Sequence, residues 1–160
     1  MTVGNMYFLK DEYFIDFPDP YLEKNKERDE KGLHNRPCFF SFSEKDRYIC
    51  WLVPFSSNIK KYKKVYDSKI AKQGYCDTIC FGDVLGFPKA FLIQNMCPAT
   101  QDYINDIYED KNSNPVRVDG VLEKKLIQQS SKVLALIRNG FTGLVFPDIL
   151  NIEAELLKKK

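Results

Sequence analysis

The sequence predicts an α+β domain, a compact and strongly curved antiparallel β-sheet with helices packed on it. Three observations carry this prediction. Residues 37–43 and 47–55 are apolar runs around a polar turn at 44–46, and 77–81 and 89–93 flank a glycine- and proline-bearing turn at 82–88. Paired runs of this kind read as hairpins, and hairpins are antiparallel. Between the two pairs, Ile59, Tyr62, Tyr66 and Ile70 recur at three- and four-residue spacing, the period of a helix face. The resulting order is β, loop, β–β, α, β–β, α, β, α. Neighbouring strands pair directly in this order, without the strict alternation of parallel βαβ units.

Each element has its own signal. Residues 6–9 read as a short strand, and 16–21 (DFPDPY) as a proline-punctuated turn. Residues 23–31 form a charge run with no apolar face, which predicts an exposed loop or a frayed helix. The helix over 58–73 is closed by Gly74, a residue suited to the left-handed C-terminal cap. Residues 110–115 (DKNSNP) read as a loop. Asp119 is an N-cap for a helix running to Asn139, with Leu122, Leu126, Val133 and Ile137 as its core-facing stripe. Gly140 ends that helix, 144–146 predict a further strand, and Pro147 opens a terminal helix.

Composition bounds the function. A chain of 160 residues, 44% hydrophobic and 14% aromatic, is one domain over 1–160. It buries roughly two-thirds of its unfolded surface and needs neither disulfides nor metal to fold. The net charge of +2 is small, but its distribution is not even. Residues 11–30 hold eight acids against three bases, whereas 58–73 hold six lysines against Asp67 alone. The five cysteines are odd in number and lack a close CxxC pair, and Cys38, Cys50 and Cys80 sit in apolar runs. They read as small buried hydrophobes in a reducing compartment. No stretch reads as a signal peptide or approaches the ~20 apolar residues of a membrane span, so the expected location is cytoplasmic, with no membrane partner.

The residue inventory narrows the chemistry. With His34 the single histidine, a catalytic histidine pair and the common zinc sites are excluded. The carboxylates lie in solvated runs without two-metal spacing, and the pair in DFPDP reads as a turn. There is no phosphate-binding glycine loop. The expectation is therefore no metal and no cofactor. Hydroxyls and cations remain. Ser56, Ser57 and Asn58 stand where a strand ends and the lysine-rich helix begins. One reading makes Ser57 or Asn58 the N-cap. The other makes the two hydroxyls and the helix N-terminus an anion site, with Lys61 supplying charge. Lys60, Lys63 and Lys64 are either a solvated face or contacts to a nucleic-acid backbone. Arg36, before Pro37, either anchors a phosphate or pairs with the acidic run. Tyr13 reads as a core ring with its hydroxyl at the surface.

Several segments resemble one family. They are YFLKDEY at 7–13, NRPCF at 35–39, PFSS at 54–57 with Lys61, Tyr62 and Tyr66, CDTICFGDVLG at 76–86, AFLIQNMCP at 90–98, and FPDIL at 146–150. In this order they look like the ToxN/AbiQ toxins of type III toxin–antitoxin systems, nearest the CptN group. The resemblance implies a barrel-like sheet similar to that of the Kid and MazF toxins. It also implies a metal-independent endoribonuclease of cellular or phage RNA, with a phage-defence role. The same enzyme would process its repetitive antitoxin RNA, be inhibited by the folded pseudoknot product, and assemble with it as a protein–RNA hetero-oligomer. By position, the family's tyrosine falls on Tyr13, its hydroxyl pair on Ser56 and Ser57, and its lysine on Lys61 (or Lys60, by a one-residue shift). Its lysine near the second strand falls nearest to Arg36, which cannot surrender a proton near neutral pH.

On this reading Lys61 and Arg36 stabilise charge, and Ser56 and Ser57 hold phosphate oxygens. Tyr13 orients substrate or moves a proton. Lys60, Lys63 and Lys64 track the RNA backbone, and Tyr62 stacks a base. The alternatives are a non-catalytic RNA-binding module with the same groove, and a protein-interaction domain whose lysines are only solvated.

Overall fold

The computed structural model describes residues 1–29, 32–46 and 48–160. In chain order these form β1 (Met6–Leu9), α1 (Asp11–Asp16), β2 (Lys26–Asp29), β3 (Gly32–Asn35), β4 (Pro37–Glu44), β5 (Ile49–Ser56) and α2 (Ile59–Gln73). Next come β6 (Ile79–Val84), β7 (Phe87–Leu92), β8 (Cys97–Ala99), β9 (Ile104–Ile107), α3 (Gly120–Arg138) and α4 (Ile149–Lys158). The class is α+β, as expected.

Seven strands make one sheet in the order β6-β7-β5-β4-β1-β9, with β8 added on β5, and every pairing is antiparallel. The hub is β5, all eight of whose residues are buried. One edge of β5 pairs with β4. The other serves β8 through Cys50–Leu52 and then β7 through Phe55 and Ser56. Register shifts interrupt β4 between Phe40 and Phe42 and β1 between Tyr7 and Leu9, and irregularities of this kind bend a strand and add twist. Among the described residues the path stays open, with β6 and β9 at its two ends.

The main core is built on β5 and its neighbours. Trp51, Phe39, Phe91 and Leu52 are fully buried, and α3 covers them with Leu122, Leu126, Val133 and Leu134. Ile152 and Leu156 of α4 join the same cluster. A smaller cluster of Tyr62, Cys76, Ile79, Ala90 and Leu92 lies under α2, with Ile59, Tyr66 and Ile70 packed against it. This is the apolar stripe read from the sequence. Gly74 closes α2 at φ 81°, the left-handed cap, and Asp119 caps α3 by accepting from the N–H groups of Val121 and Leu122. All five cysteines are free and buried. No helix among the described residues is long and apolar enough to cross a membrane.

Several elements differ from the sequence reading. The second hairpin is longer than predicted because its turn is only Leu85 and Gly86, both at positive φ. Gly82 and Pro88, which look like breakers, sit inside paired strands. Gly82 is there because α3 crosses it closely, and any Cβ would overlap Leu122 Cδ2. The charge run at 23–31 contains β2, paired with β3 as a separate two-stranded ribbon. Glu30 and Lys31 of that run lie outside the described residues, as does Arg47 of the predicted strand. Helix α1 and strands β8 and β9 carried no signal in the sequence. The predicted strand at 144–146 is absent, and Phe146 instead donates one backbone hydrogen bond to the Gln94 carbonyl at 2.9 Å.

Candidate functional site

The chain leaves β5 at Ser56 and enters α2 at Ile59, and three polar side chains organise this corner. Asn58 is the N-cap, its Oδ1 accepting from Lys61 N–H at 3.2 Å. Such a cap is worth ~1 kcal/mol to a helix. Ser56 is 3% exposed, and its Oγ accepts from Asn58 N–H at 3.1 Å. With the cap supplied by Asn58, Ser57 has a different bond, accepting from Lys89 Nζ at 2.5 Å.

The sheet register brings Lys89 there. Phe55 pairs with Phe91 and Ser56 with Ala90, so one step further along the antiparallel pair Ser57 meets Lys89. The inward-facing Ala90 and Phe91 are fully buried in the two cores, which fixes how β7 presents the lysine.

Arg36 stands between β3 and β4. Its backbone N–H donates to the Asn25 carbonyl at 2.7 Å, and its guanidinium pairs with Glu23 at 2.9 Å and approaches the Phe55 carbonyl at 3.5 Å. Arg36 is paired with the acidic run, and it also lines the groove described next.

Ser56, Ser57, Asn58, Lys61 and Lys89 open into a groove of about 1660 Å³. Phe8 and Tyr108 line it too, their rings edge to face at 5.6 Å. Tyr21 and Phe87, 61% and 57% exposed, offer broad aromatic surface to it. Among the described residues, Lys24, Lys26, Arg36, Lys61, Lys89 and His34 line the groove against one carboxylate, Glu23. A cleft with one predominant sign of charge concentrates a polyanion.

Not every residue read from the sequence is in this groove. Tyr13, on α1, is 0% exposed and does not line it. Its hydroxyl donates to the Pro98 carbonyl at 2.7 Å, and Phe14, Phe17 and Tyr103 surround its ring. Burial pushes the hydroxyl's pKa well above its ordinary value, aided by Cys97 beside it. The hydroxyl is thus not at the surface, and the structure holds Tyr13 away from the serines as a core residue. Burial likewise raises the Cys38 thiol, and the Cys97 thiol to about 12, so neither is ionised near neutral pH.

Tyr62 lines the groove but is 5% exposed, its ring spent on packing under α2, so it has no open face for a base. The Lys61 ammonium lies 5.0 Å from the centroid of that ring. Lys60, Lys63 and Lys64 are exposed but lie outside the groove, and Lys63 pairs with Asp67 at 2.8 Å one helical turn on. Of the two lysines that fit the family's position, Lys61 faces the groove and Lys60 does not.

Sequence reasoning missed Lys89, Lys24, Lys26, Phe8 and Tyr108. One signal for Lys89 was present: a lone lysine beside two small or apolar residues in a strand otherwise destined for the core. Among the described residues no three His, Cys, Asp or Glu side chains cluster closely enough to hold a metal ion.

No protein-family model matches the chain, and no curated protein matches it. A solved structure does. The chain superposes on AbiQ, a lactococcal anti-phage endoribonuclease belonging to the type III toxin–antitoxin system, with a TM-score of 0.69. Identity is 14%, and the match covers 99% of this chain and 100% of AbiQ. The chain thus has the fold of the ToxN/AbiQ family.

Proposed function

We propose that this protein is a metal-independent endoribonuclease toxin of a type III toxin–antitoxin system, nearest the CptN group. It acts in the cytoplasm on cellular or phage RNA, as a phage-defence device. One observation supports this most: in a chain that follows AbiQ from end to end, the two serines at the β5–α2 corner open into a groove lined by cations.

RNA carries its own nucleophile. The 2′-oxygen loses its proton and bonds to phosphorus, the bond to the 5′-oxygen breaks, and that oxygen takes up a proton. The products are a 2′,3′-cyclic phosphate and a 5′-hydroxyl. The protein must bind the phosphate and stabilise the charge gathering on its non-bridging oxygens. Ser57 and Ser56 hydrogen-bond those oxygens, and the cations that line the groove, Lys61 and Arg36 among them, make its surroundings positive. Lys24 and Lys26 guide the strand, and Tyr21 and Phe87 offer faces on which unpaired bases stack. The same groove takes the repetitive antitoxin RNA, cuts it, and is then filled by its folded pseudoknot product in a protein–RNA hetero-oligomer.

The test is incubation of the purified protein with a long mixed-sequence transcript in EDTA. Cleavage should proceed, leaving 5′-hydroxyl and 2′,3′-cyclic phosphate ends, and 2′-deoxy substitution throughout should abolish it. Activity that vanishes in EDTA and returns with Mg²⁺ would overturn metal independence. RNA that binds and stays intact would favour a binding module. No binding even at low salt would leave only a protein-interaction domain.

A further inference from the structure

We propose that Lys89, and not Lys61, is the cation on the reacting phosphate, acting as one unit with Ser57; this rests on the endoribonuclease reading above. Three observations lead here. The Lys89 ammonium donates to Ser57 Oγ at 2.5 Å, whereas the Lys61 ammonium lies against the Tyr62 ring at 5.0 Å. Among the described residues Arg36 also stands near the serines, and it is ion-paired with Glu23 at 2.9 Å. Lys89 also comes from a different hairpin from the serines and is held opposite Ser57 by the β5–β7 register, so the pair is set before any ligand arrives.

The chemistry follows from the donor inventory. A serine hydroxyl has one hydrogen to give, and a lysine ammonium has three. With Ser57 Oγ accepting from Lys89, a phosphate oxygen bound at this corner can take the hydroxyl's hydrogen. An oxygen so held is also within reach of the Lys89 ammonium. The two side chains thus present a polarised O–H and a full positive charge to the same non-bridging oxygen. That oxygen gains charge as the 2′-oxygen–phosphorus bond forms and before the bond to the 5′-oxygen breaks. The part of Lys89 is electrostatic and is strongest in the transition state. Lys61 then lies along the neighbouring backbone, where it contributes to binding.

The test is a double-substitution cycle. Wild type, Lys89→Ala, Ser57→Ala and the double variant are compared in single-turnover cleavage of an end-labelled mixed-sequence transcript, enzyme in excess, with filter-binding affinity for the same transcript. Lys89→Ala should slow cleavage by roughly a hundredfold or more, the scale expected when a preorganised donor is lost. Affinity should change only a few-fold, and the double variant should be little worse than either single one, because the two act together. Lys89→Arg, which keeps the charge, should recover most of the loss, and Lys61→Ala should weaken affinity more than rate. Melting curves check folding, and if Lys89→Ala is unfolded, Lys89→Gln takes its place in the cycle. A folded Lys89 variant that cuts at the wild-type rate overturns the proposal, as do losses that simply multiply in the double variant. A wild-type protein that cuts no RNA overturns the endoribonuclease reading itself, a different result from a wild type that cuts alongside an equally active Lys89 variant.

Discussion

Tyr13 shows how one residue type can be read in two ways that only its surroundings separate. Its hydroxyl donates to the Pro98 carbonyl inside a shell of aromatic rings, and its residue is wholly buried. Tyr13→Phe removes that one hydrogen bond and fills the same space. It should cost about 1 kcal/mol, or roughly 2–4 °C in melting temperature, and leave the cleavage rate within about twofold. A large loss of rate at unchanged melting temperature would return Tyr13 to the chemistry. At this scale the sequence was legible where local chemistry decides the outcome. Ser56 and Ser57 were found because a strand end and a lysine-rich helix meet there, and Asn58 was one of the two caps considered. Lys89 was not found, because nothing within ten residues of it refers to Ser57. Only the pairing of Ser56 with Ala90 does.

Elements are also held to one another by polar junctions, and one of them centres on Arg138, at the end of α3. Its guanidinium holds both oxygens of Glu44, at 3.0 and 2.8 Å, and one oxygen of Glu153 at 2.7 Å, so it ties β4 and α4 to α3. Trp51 Nε1 donates to the same Glu44 carboxylate at 3.1 Å. Hydrogen bonds from Arg138, then from Trp51, hold the Glu44 carboxyl below the usual range despite partial burial. A carboxyl depressed in the folded state stabilises the fold above its unfolded pKa, about 4.3, and loses that contribution as pH falls through the folded value. Glu44→Gln should therefore melt below wild type at pH 7, and the gap should narrow between about pH 5 and 3. A gap constant across that range would mean that ionised Glu44 adds nothing. Elements long enough to show a period, α2 and α3, were read correctly, as was the β4–β5 hairpin. Strands β8 and β9, at three and four residues, are too short to show alternation. Strand β2 pairs with β3 in a ribbon separate from the seven-stranded sheet, and its charged sequence reads as loop.

At the scale of the whole molecule, a net charge of +2 hides a groove in which, among the described residues, five lysines and arginines face one carboxylate. The basic helix drew attention in the sequence, yet the groove takes Lys61 from it and draws its other described cations from β7, from Arg36, and from Lys24 and Lys26 at and just before the start of β2. A linear reading weights charges by their density along the chain, and folding weights them by direction. This yields a quantitative expectation for RNA binding. With Arg36 offset by Glu23, four of the described groove cations remain to displace counterions from a single strand. The log–log dependence of affinity on salt should then have a slope of about −3. Replacing Lys24 and Lys26 together with alanine should flatten it by roughly 1.4, because both line the groove. Replacing Lys63 and Lys64 should barely change it, since both lie outside the groove and Lys63 is already paired with Asp67. Filter binding of one mixed-sequence transcript across a salt series, with the wild type and both double variants, measures all three slopes. The opposite ranking, with the helix pair flattening the slope and the groove pair leaving it alone, would move the RNA out of the groove and onto the exposed face of α2.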